Sequence, residues 1–462
     1  MLEPGDQIEP DGRADEAYAL DPALIERIIG ALDAGDHESA RALTARLHAA
    51  DFADLLEQID SDDRAALIHA IGDTLDAETL TELEEGVRDE VLSYLDPAVL
   101  AGAVKALNSD DVVYLVEDLK AEHKARVLDA LDAEDRVIVE QSLSYPEYSA
   151  GRMMQREMVK APPFWTVGQM IDAMRAAEDL PDPLYEIIVV DPGVKPIGAI
   201  PVGRIMGATR PMLLSEIMSE DFRAIPATQT SEDVAYTFSQ YHLVSAPVVD
   251  EDGRLVGVIT IDDAVEAMDD EAEEDMLRLG GVGDENIADR IWGITRSRVP
   301  WLGVNLLTAI LASLVIQIFD DVIQKFVALA VLMPIVASMG GNAGTQTLTV
   351  AVRALATRDL TASNMWRVVL REALFGLANG LIFAALIGAL GYVWFEDAML
   401  AGVLAAAMIG NLFVAALAGI LVPITLERIG ADPALASGTF VTTVTDITGF
   451  YLFLGLGGAF LL

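Results

Sequence analysis

Five apolar runs follow one another in the C-terminal part of this chain, and each is long enough to cross a lipid bilayer. They cover residues 299–319, 326–352, 373–395, 398–426 and 433–462. A membrane-spanning helix needs about 20 mostly apolar residues. Because a soluble core does not use five such runs in succession, we predict an all-α membrane domain of five transmembrane helices over residues 299–462.

The charges between these runs predict how the domain lies in the membrane. The loops after the second and fourth runs carry most of the basic residues of this region, namely Arg353, Arg358, Arg367, Arg371 and Arg428. Basic loops remain on the cytoplasmic side. We therefore predict a multi-pass protein of the cell (inner) membrane, with residues 1–298 in the cytoplasm and the C-terminus outside.

Acidic residues dominate the part that precedes the membrane runs. The chain has 73 acidic and 30 basic residues, and of its net charge of −43 about −40 belongs to residues 1–298. Such a charge repels phosphate, which excludes nucleic acid as a natural partner and favours cations. Adaptation to concentrated salt is an alternative explanation, since there are only six lysines. Without cysteine, disulfides and thiolate metal sites are excluded.

The acidic part begins with a polar segment and continues as short helices. Residues 1–20 lack an apolar core, so they are predicted to be a disordered tail and not a signal peptide. Over residues 21–145, apolar residues recur at helical spacing, and helix-start residues such as Asp51, Asp96 and Ser109 come every 12–20 residues. This recurrence predicts an all-α superhelix of stacked hairpins, which could also be a plain scaffold.

A strand–helix repeat of about 60 residues follows the helical part. Segments 152–215 and 216–270 share one order, with a Met-rich start, a helix, the letters Val-Val-Asp, a turn and a strand. Gly151-Arg-Met-Met, Glu216-Ile-Met-Ser and the Asp252-Gly253 turn make the pair resemble tandem α/β CBS domains, which we assign to 146–215 and 216–270. Thr260 and Asp263 match the CBS nucleotide signature, so the resemblance implies that ATP could bind as a cofactor.

One carboxylate stands inside the fifth apolar run. A charged side chain within a span costs several kcal/mol unless it is hydrated or paired, so Asp446 is a functional candidate. Thr439, Thr442 and Thr443 share its helix face at spacings of three and four residues. Magnesium keeps its water shell and is commonly held through water by one or two carboxylates, so this stripe suits it. A packing role or a proton relay for Asp446 is the alternative.

The second run adds neutral polar groups to the candidate pore. Its glycines at 340, 341 and 344 allow close helix approach or a water-lined path, and Asn342 and Gln346 lie among them. We predict that Asn342 lines the pore together with Thr442 and Thr443.

These segments resemble the MgtE family of magnesium channels. The resemblance is carried by Gly340-Gly-Asn-Ala-Gly-Thr-Gln, Asp432-Pro-Ala-Leu-Ala-Ser and Phe440-Val-Thr-Thr-Val-Thr-Asp-Ile-Thr-Gly. It implies a homodimer with the pore between protomers, lined by the second and fifth spans, with Asp446 as the pore aspartate. It also implies that Mg²⁺ is both the transported ion and a regulator.

The acidic segment 262–275 is the expected regulator. Carboxylates packed so densely on a helix repel one another unless cations intervene, although a solvated acidic face is the plain alternative. The family resemblance implies that internal Mg²⁺ joins the helical domain, the CBS pair and a linking (plug) helix at 271–298, and so closes the pore. The implied sensor residues are Glu232, Asp263, Glu266, Glu271, Glu274, Asp275, Glu90, Asp110 and Asp432.

Two other functions remain open on the sequence alone. One is a carrier for Co²⁺ or another divalent cation, and the other is a CBS-regulated membrane signalling protein that conducts nothing. An enzyme is disfavoured, because we find no nucleophile–base set and all five histidines precede the membrane runs.

Overall fold

The computed structural model describes residues 20–117, 119–177, 180–181, 183–282 and 291–462, and the chain forms two compact units, Met1–Met268 and Asp269–Leu462. The predicted acidic tail, apart from residue 20, lies outside the described residues, as does the 283–290 part of the predicted linking helix.

Short helices build the first part of the first unit, as predicted. They pack on one continuous apolar core that includes Leu55, Leu80 and Leu115. Helix starts follow the expected capping chemistry at Asp21 and Asp60, whose side chains accept backbone N–H groups. The helices are α1 (Pro22–Asp33), α2 (His37–Thr44), α3 (Ala49–Gln58), α4 (Ser61–Ile71), α5 (Thr79–Glu82), α6 (Glu85–Tyr94), α7 (Pro97–Ala106), α8 (Ser109–Glu117), α9 (Ala121–Ala130) and α10 (Ala133–Ser142).

One predicted helix start is wrong. The sequence pattern placed a start at Asp51, but α3 begins two residues earlier, at Ala49, with His48 as its cap. The Nδ1 atom of His48 accepts the backbone N–H of Ala50, which leaves Asp51 within the first turn.

The strand–helix repeat forms two sheets of identical topology. In each sheet a two-residue strand pairs in parallel with a central strand, which pairs antiparallel with a third, and both central strands have a bulge at a Val-Val step. Gly253 adopts a φ of +76° in the predicted turn. The strands are β1 (Lys160–Ala161), β2 (Glu186–Val190), β3 (Pro196–Pro201), β4 (Ile225–Pro226), β5 (Ser245–Val249) and β6 (Leu255–Thr260). Their helices are α11 (Ala150–Met153), α12 (Val167–Ala176), α13 (Val202–Gly207), α14 (Leu214–Ile217) and α15 (Ser231–Tyr241).

The Met-rich start of each repeat packs on the other repeat. A Cβ added to Gly257 of β6 would lie 2.7 Å from the Sδ atom of Met154, and one added to Gly198 of β3 would lie 2.8 Å from that of Met218. Met154 is fully buried in the core around β4 to β6, whereas Met218 packs on the core around β1 to β3. The two repeats therefore exchange their leading segments, so each core is completed by residues of the other repeat.

A long acidic helix, α16 (Ile261–Leu279), continues directly from β6. Its first turn holds Asp262 and Asp263, and its last turn holds Arg278. Gly281, with a φ of +72°, follows its end. The segment assigned to a linking helix at 271–298 therefore contains the end of α16, and its part from Ile291 onwards belongs to helix α17 (Ile291–Ile318).

The second unit contains the five predicted spans. Helix α21 has the most buried apolar window of the five and α17 the least, which places α21 at the centre of the bundle. Helix α20 starts eight residues before its apolar run, so Arg367, Arg371 and Glu372 lie on a helix and not in a loop. The helices are α17 (Ile291–Ile318), α18 (Asp320–Lys325), α19 (Val327–Ala356), α20 (Met365–Phe395), α21 (Ala398–Arg428) and α22 (Pro433–Phe460).

Candidate functional site

The threonines near Asp446 turn their hydroxyl hydrogens inward. The Oγ1 of Thr442 donates to the carbonyl of Gly438 at 2.9 Å, and that of Thr443 donates to the carbonyl of Thr439 at 2.6 Å. These bonds use the one donor of each hydroxyl and leave lone pairs of the oxygen as acceptors. Thr442 is exposed and Thr443 is half-buried. The predicted stripe can thus offer oxygen acceptors to a hydrated cation.

Asp446 itself is half-buried in α22. Within the part of the chain that the structure describes, its carboxylate has no hydrogen bond or ion pair. A carboxylate in this position inside a span needs water or a cation.

One member of the predicted stripe serves another purpose. The Thr439 hydroxyl donates to Oδ1 of Asn305 on α17 at 2.9 Å. It connects the first and fifth spans, while Thr442 and Thr443 remain available.

The second span lies directly against the fifth. A Cβ added to Gly344 would be 2.6 Å from Cγ1 of Val441, so only a glycine allows this approach. On the same helix Asn342 and Gln346 are exposed. Because Asn342 and Gln346 are each two residues from Gly344, they lie on the exposed face of α19 that points away from this contact.

Sequence reasoning missed a buried amide beside this contact. Asn411 of α21 is 0% exposed, and its Nδ2 donates to the carbonyl of Val336 on α19 at 2.8 Å. Its Oδ1 is buried without a hydrogen-bond partner in the described residues. A lone neutral residue in an apolar run gave no signal of ligand chemistry.

In the first unit, two of the predicted sensor carboxylates from distant segments meet. Asp110 of α8 is only 8% exposed, and Asp263 lies in the first turn of α16. Burial raises the pKa of Asp110 well above its ordinary value, and the charge of Asp263 raises it further. Burial is likewise the main reason that the pKa of Asp263 is raised to about 7. The hydrogen bonds from Thr260 lower this pKa, and the charge of Asp262 raises it. Mutual repulsion of this kind is what a bound cation would relieve.

Two further carboxylates join this cluster, and the predicted set did not include them. Burial is the main reason that the pKa of Asp111 is raised to about 6. A hydrogen bond from the Asn108 backbone lowers this pKa, and the charges of Glu78 and Asp262 raise it. Glu157 accepts the Ser109 hydroxyl at 2.8 Å. The adjacent letters Ser109-Asp110-Asp111 carried the signal for Asp111, but nothing in the sequence joined Glu157 to them.

Within the described residues, no three carboxylate or histidine side chains converge closely enough to hold an ion directly. An ion at these acidic groups would therefore bind through its water shell or would draw its ligands together on binding.

Thr260 and Asp263, the residues predicted to bind a nucleotide, are hydrogen-bonded to each other. Asp263 accepts the Thr260 hydroxyl at 2.8 Å and the Thr260 backbone N–H at 3.2 Å. The cleft beside them, lined by Tyr185, Glu186 and Ser245, has a volume of about 20 Å³. That is room for a water molecule, since one needs roughly 10–15 Å³.

A second predicted cluster forms at the end of α16. Arg278 makes ion pairs with Glu274 of its own helix and with Asp432, which also caps α22 by accepting the Ala434 N–H at 2.7 Å. Burial, and then the charge of Asp432, raise the pKa of Asp275. Three predicted sensor residues are therefore together, and Arg278 supplies a positive charge that the prediction did not include.

The other predicted sensor residues lie elsewhere. Within the helical part, the Glu90 carboxylate accepts hydrogen bonds from Arg64, Ser61 and Tyr94. Burial acts to raise the pKa of Glu90, but these bonds and the charge of Arg64 outweigh it, and the pKa is lowered. Glu232 is exposed in the first turn of α15, Glu266 is exposed on α16 and Glu271 is half-buried there.

Three family models match the chain in sequence order. Residues 47–148 match the MgtE intracellular N domain, residues 214–270 match the CBS domain, and residues 333–456 match MgtE, described as a divalent cation transporter.

Similar proteins cover almost the whole chain. The magnesium transporter MgtE of Thermus thermophilus is 31% identical over 435 residues, which are 92% of this chain and 96% of that protein. The magnesium transporter MgtE of Bacillus subtilis is 27% identical over 441 residues, 95% of this chain and 97% of that protein.

Solved structures match the soluble part. The soluble part of a magnesium transporter aligns at 25% identity with a TM-score of 0.47, covering 54% of this chain and 98% of that one. The cytosolic domain of the Mg²⁺ channel MgtE in complex with ATP aligns at 27% identity with a TM-score of 0.48, covering 52% and 99%.

Five helices long and apolar enough to cross a membrane, preceded by a helical domain and a CBS pair, define a multi-pass membrane transport protein. The match to the Thermus thermophilus protein over more than nine tenths of both chains makes the assignment specific: the chain belongs to the MgtE family. The resemblance found in the sequence motifs is thereby confirmed, as is the three-part fold.

Proposed function

We propose that this chain carries Mg²⁺ across the membrane along a path lined by α19 and α22. The observation that carries the proposal is the Asp446 carboxylate, which has no partner among the described residues and lies near Thr442 and Thr443, whose hydroxyls have already used their donors. Hydrated Mg²⁺ donates hydrogen bonds from its waters, and it dehydrates reluctantly. Acceptor groups around one carboxylate therefore suit an ion that passes with most of its shell.

The direct test is flux into liposomes that contain the purified full-length chain. With Asp446→Asn, we expect Mg²⁺ uptake to fall at least 10-fold, because the amide keeps the shape but removes the charge. Uptake of Mg²⁺, Ca²⁺, Co²⁺ and Na⁺ is measured in parallel to determine selectivity.

Asp320→Asn is the matched control. Asp320 is an acidic residue of the same domain in the short helix α18, outside the spans, where it accepts from Gln324 at 2.8 Å. We expect this variant to keep its uptake. Normal Mg²⁺ uptake by Asp446→Asn would show that the path lies elsewhere.

Internal Mg²⁺ closes this path, in our proposal, by acting at two acidic clusters. One contains Asp110 and Asp263, whose pKa values are raised first by burial and then by neighbouring carboxylates. The other contains Glu274, Asp275 and Asp432 at the end of α16. Glu232, Glu266 and Glu271 remain proposed sensor residues, whereas the ion pair of Glu90 with Arg64 gives Glu90 a role in folding in this proposal.

The active form is proposed to be a homodimer in the inner membrane, with the soluble unit in the cytoplasm and the C-terminus outside. Exposed polar side chains within the spans, Asn342 and Thr442, support a partner or water on that face. Cross-linking in native membranes and the accessibility of tags at both termini test the dimer and the orientation.

ATP is proposed as a ligand of the CBS pair, near Thr260 and Asp263. Because the cleft there holds only about 20 Å³, nucleotide binding requires it to open. Calorimetric titration of the full-length chain with ATP, against a Thr260→Val variant, tests this proposal.

A further inference from the structure

The buried amide of Asn411 lies between the two helices that carry the proposed path. A Cβ added to Gly340 of α19 would be 2.2 Å from Asn411 Nδ2, and one added to Gly449 of α22 would be 2.8 Å from it. The amide thus occupies a space that exists only because both neighbouring helices have glycine at these points.

These glycines are at the level of the proposed pore residues. Asn342 comes two residues after Gly340, which turns it to the opposite, exposed face of α19. Asp446 comes three residues before Gly449, less than one helical turn away. A shift of either glycine against Asn411 therefore moves a proposed pore residue by a similar amount.

The contact is directional and not merely apolar packing. Asn411 donates to the Val336 carbonyl at 2.8 Å, but among the described residues its Oδ1 is buried without a partner. An unsatisfied acceptor inside a membrane domain costs free energy, and a leucine has the same branching and the same number of side-chain heavy atoms without that cost. What the amide adds over a leucine is one oriented bond to the backbone of α19.

We propose that Asn411 is a positioning residue for ion selection, which fixes the spacing and rotation of α19 against α22 at the level of Asn342 and Asp446. This inference rests on the proposed function. A path for a hydrated ion depends on its width, so the amide determines which ion fits.

The test uses Asn411→Leu in the reconstituted full-length chain. We expect the ratio of Mg²⁺ to Ca²⁺ uptake to fall roughly 2- to 10-fold, the range that one net hydrogen bond supports. The melting temperature in detergent is expected to change little, because the unpaired Oδ1 is removed as well. A wild-type ratio in Asn411→Leu would overturn the proposal.

Gly449→Ala separates position from packing. Its methyl is expected to displace the amide and lower both the melting temperature and the uptake ratio. Adding Asn411→Ala makes room for that methyl, so we expect the melting temperature to recover while the ratio stays low. If both the melting temperature and the uptake ratio recovered, Asn411 would act only through packing. Gly402→Ala, on α21 with no atom within 4 Å of the added Cβ, is the control and is expected to match the wild type.

A cross-linking measurement tests the inference without transport. The chain has no cysteine, so the pair Leu348→Cys on α19 and Val441→Cys on α22, whose native side chains share one apolar cluster, reports the approach of these helices. We expect oxidative cross-linking to be slower when Asn411→Leu is present, and an unchanged rate would contradict the positioning role. If the wild-type chain carried no Mg²⁺, the proposed function would fail while this measurement still decided the role of Asn411.

Discussion

At the scale of single residues, the acidic groups of the soluble unit fall into two kinds. Glu90 is held by Arg64, which is itself 7% exposed, whereas Asp110 and Asp263 face other carboxylates. The first kind stabilises the fold with its charge. The second kind costs free energy whenever it is ionised without a cation.

The raised pKa values predict how stability depends on pH. Asp111 and Asp263 titrate near 6 and 7 in the native chain but near 3.8 when unfolded, so between about pH 4 and 7 the native state binds more protons. The free energy of unfolding of the ion-free chain should therefore fall as pH rises through this window. Mg²⁺ requires the ionised carboxylates, so its stabilising effect should be small at pH 5 and large at pH 8.

Thermal unfolding of the full-length chain with and without Mg²⁺ measures both effects. Asp263→Asn should flatten the pH profile, raise the ion-free stability and reduce the Mg²⁺ shift. Asp252→Asn, at an exposed turn, serves as its control. A Mg²⁺ shift independent of pH would be evidence against binding at this cluster.

Loss of the Glu90 carboxylate is expected to affect folding and not sensing. In Glu90→Gln the buried Arg64 keeps its bonds to the Leu56 and Ile59 carbonyls but loses its counter-charge, so we expect a destabilisation of about 2–4 kcal/mol. The Mg²⁺ concentration that half-inhibits uptake should stay the same. A change in that concentration without a loss of stability would instead make Glu90 a sensor.

At the scale of elements, Arg278 controls the junction of α16 with α22. Without it, Glu274, Asp275 and Asp432 would face one another uncompensated, and a bound cation would have to replace its charge. We therefore expect Arg278→Gln to need more internal Mg²⁺ for half-inhibition of uptake. Arg254→Gln, whose pair with Asp252 is exposed and 3.7 Å long, should leave it unchanged. Inhibition at lower Mg²⁺ would mean that Arg278 opposes closure.

The glycines that contact the exchanged methionines leave no room for a side chain, so substituting them should lower the stability of the CBS pair. A methyl at Gly257 would also lie 2.8 Å from the Gln155 carbonyl oxygen, which is backbone and cannot give way easily. Gly257→Ala should cost about 1–3 kcal/mol of unfolding free energy. Gly203→Ala, in α13 with open space around it, should cost less than 0.5 kcal/mol. Equal effects of the two changes in denaturant unfolding would refute the interlocked packing.

The elements were more predictable than their contacts. The five spans and strands β2, β5 and β6 follow from hydrophobic runs and β-branched residues, which act locally. The meeting of Asp110 with Asp263 joins residues 153 positions apart, and no local pattern reports such a contact. Asn411 was missed for a related reason, because its importance comes from two glycines on other helices.

At the scale of the whole molecule, the net charge of −43 has two explanations that one experiment separates. If the acidity only serves salt adaptation, NaCl and MgCl₂ at equal ionic strength should stabilise the chain equally, because screening depends on ionic strength. If it serves sensing, we expect millimolar MgCl₂ to raise the melting temperature more than NaCl of the same ionic strength. Asp110→Asn should reduce that difference.

The exchange of Met154 and Met218 also has a consequence for biosynthesis. The first CBS copy lacks part of its core until Met218 has been synthesised. Met154 cannot pack in its native position until β6 has been synthesised. At about 5–20 residues per second, the ribosome needs several seconds to add the intervening hundred residues. Neither copy can complete its core from its own residues alone, so we expect the two copies to complete their folds together.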